Sequence, residues 1–441
     1  MAVLGSSRTT GASAFPRHNG RVPRVMLVLP SQTYRATEFL DAAKRLGVEV
    51  VAASDTAQAM ADPSDNRFVE LPLREPERAA EIVERFAKTT PIDAIVAVDD
   101  ESACAAAHAA WRLGIGKNPP SAIEATRNKA MMRDLLRGDG VSQPEFAVVE
   151  AGPSEADGVV AASERLGYPV VLKPVSLSAS RGVERADDAP GARTAAIRVR
   201  EVALSGGCPA SEPLLVEGYV DGDEIALEGL LTDGSLVTLA IFDKPDPLTG
   251  PYFEETIYVT PSRHHPDVIA RAEDEIARAV RALGLLDGPV HAEARLSPSG
   301  SDPHATAFVL EAAARTIGGK CSKALRFSSD RSLEELVLAH ALGFADFPTA
   351  RESAASGVMM IPIPESGRLI GVDGRDGALS TNGVTGLEIT VPIGRVLRAW
   401  PEGDRYLGFL FARGDDPGEV EKALREAHEH LVFRIDQEPE S

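Results

Sequence analysis

Ala307-Phe-Val-Leu-Glu311-Ala-Ala-Ala-Arg315-Thr-Ile-Gly318-Gly319 runs an apolar strand straight into a carboxylate, a guanidinium and two glycines. Burying a charge is costly unless it is paired or coordinates a metal, so such a strand has no packing use for Glu and Arg four residues apart. The stretch reads as one side of a metal-bound phosphate site. Arg315 would neutralise a phosphoryl group or an oxyanion, with the backbone N–H groups of Gly318 and Gly319 completing the site. A helix N-cap region with a structural salt bridge is the competing reading.

A second charged strand supplies the other half. In His291-Ala-Glu293-Ala-Arg295, strand alternation puts His291, Glu293 and Arg295 on one face and Ala292 and Ala294 on the other. Glu293 and Glu311 can then face one cavity from neighbouring strands. Two carboxylates plus phosphate oxygens suit Mg²⁺, which dehydrates reluctantly and prefers substrate phosphates to an all-protein cage. Either Glu alone also reads as a surface or ion-paired residue; jointly they favour a metal. Lys173 ends the apolar run Val170-Val-Leu-Lys173 and precedes the loop Val175-Ser-Leu-Ser-Ala-Ser180-Arg-Gly-Val183. Hydroxyls and backbone N–H groups beside an ammonium suit a phosphate, although small polar loops are more often plain hairpins.

Outward from these motifs, the chain begins with repeated βα units. Val25–Leu29, Val48–Ala52 and Ile92–Val98 read as strands, and Ala36–Leu46, Glu77–Ala87 and Ser102–Leu113 as helices, which implies a parallel sheet. After Pro119-Pro120, Ser121 is the expected cap of one helix reaching Arg137. Phe146–Val149 and Tyr168–Lys173 follow as strands, with a helix at Glu155–Leu166 between them. Leu214–Glu217, Glu224–Leu231, Ser235–Phe242 and Tyr252–Thr260 read as one antiparallel group. A helix over Asp267–Leu283 buries Ile269, Ala272, Ile276, Ala279, Val280 and Leu283. Two strands, Val290–Leu296 and Thr306–Glu311, a helix at Leu333–Ala341, and a Gly- and Pro-rich final region ending in a helix at Gly418–Leu431 complete the chain.

Bulk properties exclude several classes. The 441 residues suggest two to four domains, and 44% hydrophobic with 25% charged residues is an ordinary globular composition. A net charge of -20 argues against nucleic-acid and anionic-membrane partners, which are bound through basic surface. Cys104, Cys208 and Cys321 form no C-x-x-C pair, so no disulfide framework or zinc site is indicated and a reducing cytoplasm fits. Residues 1–21 read as a flexible leader without a secretory core, and no apolar run reaches membrane-spanning length. The turn Pro30-Ser-Gln-Thr-Tyr34 lacks the G-x-G-x-x-G of a dinucleotide fold, and no P-loop motif occurs. His264-His265 and His428-Glu-His430 lack H-E-x-x-H spacing and read as solvated. Asp99-Asp100-Glu101 reads as a solvated strand end, with a substrate-side acidic cluster as the alternative.

Taken in order, Asn128-Lys129, Leu172-Lys173-Pro174, the loop to Gly182-Val183, Val216-Glu217-Gly-Tyr-Val220, Gly222-Asp-Glu224, Glu293 and Glu311 resemble the ATP-grasp superfamily over nearly the whole chain. In that family two α+β lobes hold ATP and a carboxylate is activated as an acyl phosphate. The resemblance implies Lys129 and Lys173 as the nucleotide-phosphate and adenine-side lysines, and Ser178, Ser180, Gly182 and Val183 in the loop over the phosphates. It likewise implies Glu217, Tyr219 and Val220 as the adenine hinge, Glu224 at the ribose, and Glu293 and Glu311 as metal ligands. The region from Glu311 to Arg326, with Gly357–Pro362, Gly383-Val384 and Tyr406–Gly414, is similar to the L-amino-acid ligase (carboxylate-amine ligase) branch. There Phe253–Tyr258 would line the substrate pocket, with Glu255 receiving the amine and Tyr258 beside it. The chain departs from the family pattern at Ala313, where many members have Asn.

The resemblance thus implies an α/β and α+β chain: a Rossmann-like domain with a parallel sheet over residues 22–118, a two-lobed ATP-grasp domain over 119–348 and a small α/β domain over 349–436. It implies an ATP-dependent ligase using Mg²⁺, or Mn²⁺, on small carboxylate and amine substrates, amino acids being the expected class. A homodimer is compatible with it. The alternatives are an ATP-grasp ligase with another nucleophile or bicarbonate, and a catalytically degenerate nucleotide-binding protein.

Overall fold

The computed structural model describes residues 21–56, 67–298, 302–345, 347–401, 403 and 405–437. Except for Arg21 the expected leader lies outside the described residues. The chain opens with β1 (Arg24–Val28), α1 (Ala36–Leu46), β2 (Glu49–Ser54), β3 (Phe68–Glu70), α2 (Pro76–Ala87), β4 (Ala94–Ala97) and α3 (Asp100–Arg112). These strands form a parallel sheet in the order β3-β2-β1-β4. Met26 and Val28 pack toward Ala80 and Val83 of α2 and Ala106 of α3, whereas Val25 and Leu27 pack toward Phe39 of α1. Covered on both faces, β1 is apolar without alternation, as a parallel sheet requires.

The single helix expected from Ser121 to Arg137 is two, α4 (Pro120–Arg127) and α5 (Lys129–Gly138). Asn128 breaks it: its backbone is extended, and its side chain accepts the Met131 N–H as the N-cap of α5. A capped break satisfies an otherwise orphan donor. It also places Lys129 at a helix start, where its N–H bonds the Val175 carbonyl at 3.0 Å.

The smaller lobe follows as β5 (Phe146–Val149), α6 (Glu155–Leu166), β6 (Val170–Pro174), β7 (Glu184–Ala186), α7 (Ala189–Ser205) and β8 (Leu214–Gly218), with sheet order β5-β8-β6-β7. Two expectations are corrected here. β8 belongs to this sheet, not to the antiparallel group after it, because it pairs with β5 and β6. α7 has no counterpart among the expected elements: its buried face is mostly alanine (Ala192, Ala195, Ala196, Ala203), which leaves little apolar contrast.

The larger lobe contains β9 (Asp223–Thr232), β10 (Ser235–Lys244), β11 (Ile257–Thr260), α8 (Pro266–Ala282), β12 (Gly288–Ser297), β13 (Thr306–Ala313), a 3₁₀ turn at Cys321–Ala324 and α9 (Leu333–Ala341). The final region adds β14 (Ala355–Ile361), β15 (Gly367–Asp373), α10 (Arg375–Ser380), β16 (Val384–Ile389), β17 (Val396–Leu397), β18 (Gly408–Gly414), α11 (Pro417–Glu429) and β19 (Val432–Asp436). One eight-stranded sheet, β13-β12-β9-β10-β11-β14-β18-β16, joins the two regions. A small sheet, β17-β15-β19, lies beside it. Ala272, Ile276, Ala279 and Val280 of α8 join Ala292 and Ala294 of β12 in the core. Val268 rather than Ile269 is the fully buried residue of the first turn of α8.

Candidate active site

β12 and β13 build the floor of the site as their alternation predicts. Glu293 stands directly opposite Glu311, and His291 opposite Ala313, with a bulge after Glu293. The alanines of β12 enter the core while its charged residues turn the other way, toward a cleft between the lobes. That cleft is lined by Lys129, Lys173, Ser178, Ser180, Val183, Glu217, Tyr219, Val220, Glu224, Glu293, Arg295 and Glu311. Residues up to 182 positions apart in sequence, Lys129 and Glu311, thus share one wall. Gly182, Glu255, Tyr258, Arg315, Gly318 and Gly319 do not line it. Gly182 turns the loop at φ +70° against Pro174. Tyr258 is buried, meets Phe242 edge-on at 6.1 Å, and lies beneath the Lys244 ammonium at 5.1 Å.

The cationic wall comes from α5 and β6. Lys129 Nζ donates to the Leu177 carbonyl at 2.6 Å and stands 3.6 Å from Glu311, which ties the helix start to the polar loop. Its burial pushes the ammonium's pKa down, against the pull of Glu311. Lys173 donates to Glu217 at 2.7 Å, and Arg133 of α5 donates to the other Glu217 oxygen at 2.6 Å. Burial alone would raise the Glu217 pKa, but Arg133 and Lys173 outweigh it and hold the carboxyl at about 2. The Glu217 side chain is therefore committed to internal ion pairs, which leaves backbone groups of this segment for a ligand. In the loop, Arg127 donates to Ser178 Oγ at 2.9 Å and to the Ser176 carbonyl at 3.1 Å, and Ala179 and Ser180 have φ of 59° and 53°.

Acidic residues crowd the opposite wall around Lys244, the last residue of β10. Its ammonium donates to Glu224 at 2.6 Å, Glu255 at 2.6 Å and Glu293 at 2.9 Å. Burial would lower its pKa, but the three carboxylates hold it well above the usual lysine range. Glu224 also accepts from Arg295 at 3.0 Å. Carboxylate oxygens of Glu224, Glu255 and Glu293 lie within 4.8 Å of one another, so these side chains present the hard oxygen donors a divalent cation takes. Glu293 is held well below the usual carboxylate range despite burial, by Lys244 and His291. Burial raises the pKa of Glu255, against Lys244. Lys244 was not among the expected site residues. A lysine closing an apolar strand was the available signal, the same one that marks Lys173.

Beyond β13, Arg315 is fixed from the N-terminal sheet. Its Nη2 pairs with Asp100 at 2.9 Å, and Arg127 stands 3.3 Å from the same carboxylate. Burial alone would raise the Asp100 pKa, but the two guanidiniums hold it far below the carboxylate range. The solvated strand end expected at Asp99-Asp100-Glu101 is thus corrected for two of its members. Asp100 is an internal counter-ion, and Asp99 faces Arg35 at 3.5 Å. The Gly319 N–H donates to the Tyr34 hydroxyl at 2.8 Å, another anchor from the first domain. His264 is likewise less solvated than expected, lying near Asp243 at 3.7 Å and Asp223 at 3.9 Å.

Comparison with known proteins identifies the architecture. The ATP-grasp domain family matches residues 166–324, and the ATP-grasp N-terminal domain matches residues 40–116. The chain belongs to the ATP-grasp superfamily. Its final region is of the L-amino acid ligase C-terminal domain 2 type over residues 359–436. The L-amino acid ligase of Bacillus licheniformis superposes with a TM-score of 0.77 at 27% identity, over 94% of this chain and 99% of that one. Alanine–anticapsin ligase of Bacillus subtilis is 27% identical over 62% of this chain, which spans 60% of that relative's length. A formate-dependent phosphoribosylglycinamide formyltransferase of Synechococcus is 32% identical over 46% of this chain and 50% of its own.

Proposed function

We propose that this protein is an ATP-dependent carboxylate-amine ligase that forms an amide or dipeptide bond through an acyl phosphate, releasing ADP and phosphate. The observation that carries the reading is the single cleft in which Lys129, Lys173, Glu293 and Glu311 meet between two lobes. The L-amino acid ligase type of the final region and the likeness to the Bacillus ligases favour amino acids as substrates. No described helix is long and apolar enough to cross a membrane, and we place the reaction in the cytoplasm.

In this reading Lys129 and Lys173 bind nucleotide phosphate and the adenine side, beneath the loop of Ser178, Ser180 and Gly182. Backbone groups of Tyr219 and Val220 meet the base, and Glu224 meets the ribose. Glu293 and Glu311 would hold Mg²⁺, or Mn²⁺, which would neutralise charge on the nucleotide phosphates. The substrate carboxylate attacks the terminal phosphorus, and ADP leaves. The amine then attacks the acyl carbon, forming the C–N bond as the C–O bond to phosphate breaks. Arg315, oriented by Asp100, stabilises the charge on the phosphoryl oxygen or the tetrahedral oxyanion. Glu255 receives the incoming amine, and closure over the cleft keeps water from the acyl phosphate.

Incubating the pure protein with ATP, Mg²⁺ and pooled amino acids tests this reading by release of phosphate and ADP. Nucleotide binding without turnover on any carboxylate and amine pool would instead favour a degenerate nucleotide-binding protein. Ala313 is the observation behind that second reading.

A further inference from the structure

The segment joining β10 to β11 crosses from the larger lobe to the smaller one. Its base is held by the larger lobe and the final region: Lys244 binds Glu255, the Thr256 hydroxyl donates to Asp246, and Arg425 of α11 holds Asp246 at 2.6 Å. Its tip is held by β7 and α7. The Arg185 N–H donates to the Pro251 carbonyl and its Nη1 to the Thr249 carbonyl, both at 2.8 Å. Glu184 and Tyr252 form an antiparallel bridge, and Arg198, paired with Glu184 at 2.7 Å, donates to the Tyr252 hydroxyl. Gly250, at φ +93°, lies so near Arg185 that a Cβ would come within 2.9 Å of the arginine Cβ. The tip is built to seat closely.

Between base and tip the segment touches the nucleotide cleft. Leu248 and Phe253 pack with Val171, Val183 and Tyr219, and Phe253 lines the cleft wall. Glu255 follows two residues later, with its carboxylate on Lys244. A short segment pinned to both lobes cannot keep its shape if one lobe moves against the other, so the position of Glu255 depends on the smaller lobe.

We propose that Arg198 and Tyr252 are positioning residues: their latch lets the nucleotide lobe set the place of Glu255, so that nucleotide and amine bind with positive coupling. The proposal rests on the nucleotide reading above. Neither residue lines the cleft, so loosening the latch should leave nucleotide affinity nearly unchanged.

Hydrogen exchange of the full chain with and without AMP-PNP and Mg²⁺ tests it. In the wild type, the amides of Asp246, Leu248–Gly250 and Tyr252–Thr256 should exchange about fivefold more slowly with the nucleotide, the low end of ordinary coupling between sites. Tyr252→Phe, which removes only the hydroxyl, and Arg198→Met should each lose most of that protection while binding AMP-PNP with an affinity close to the wild type. Protection retained in both variants, or absent from a wild type that binds AMP-PNP, overturns the proposal. A wild type that does not bind AMP-PNP at all overturns the nucleotide reading instead, and the latch falls with it.

Discussion

Replacing Arg133 by Met would test the electrostatics that hold the cleft wall together. Glu217 is 2% exposed, and its carboxylate is divided between Arg133 at 2.6 Å and Lys173 at 2.7 Å. Its pKa is about 2 in the folded chain against an ordinary value of 4.5, so this group contributes about 3 kcal/mol to stability at neutral pH. The sign follows from the depressed pKa. The contribution is fully present above pH 4.5 and disappears as pH falls from there toward 2. Methionine keeps the volume but removes one cation, so the remaining carboxylate is only half compensated. Breaking a buried pair in this way costs about 3 to 5 kcal/mol, or roughly 10 °C in melting temperature for a lobe-sized folding unit. Urea unfolding followed by circular dichroism at several pH values would show lower stability at pH 7 and a shallower loss between pH 4.5 and 2 than in the wild type. A variant within about 1 kcal/mol of the wild type, with the same acid slope, would refute the reasoning.

Arg315→Ala should lower turnover by about 10²- to 10³-fold, the usual loss for one oxyanion donor, while AMP-PNP affinity stays close to the wild type. Asp100→Asn should act in the same direction and more weakly, since it loosens the guanidinium at 2.9 Å without removing it. Glu293→Gln and Glu311→Gln should weaken Mn²⁺ binding in the presence of ADP, measured by electron paramagnetic resonance, by at least the roughly 10- to 100-fold that loss of an outer-shell partner costs. Gly319→Ala should destabilise the protein by about 1 to 3 kcal/mol in thermal unfolding, through the left-handed backbone and overpacking. At φ +58° its new Cβ would fall 2.4 Å from Met360 Sδ.

Much of the site was legible because strand alternation is local. His291, Glu293 and Arg295 turn from the core while Ala292 and Ala294 enter it, and charge on such a strand marks a cavity. The parallel βα units at the start of the chain were legible for the same reason, since apolar periodicity is written within each element. The break at Asn128 was less so: apolar spacing continues across it, and only the cap hydrogen bond distinguishes two helices from one.

What the sequence determined alone is therefore the set of chemical groups and the faces on which they stand: two acids on neighbouring strands, a lysine ending an apolar run, another at a helix start, and a polar loop. The tertiary structure decided their partners. Asp100 reaches Arg315 across 215 positions, Arg133 reaches Glu217 across 84, and Lys244 gathers three carboxylates from β9, β12 and the segment before β11. It also decided that β8 joins β5 and β6 rather than β9, a pairing that alternation cannot specify because any apolar strand can supply the edge. Periodicity fixes where a side chain points, whereas its pKa and its freedom to meet a ligand depend on charges brought beside it by distant chain, through interactions that fall off over a few ångströms.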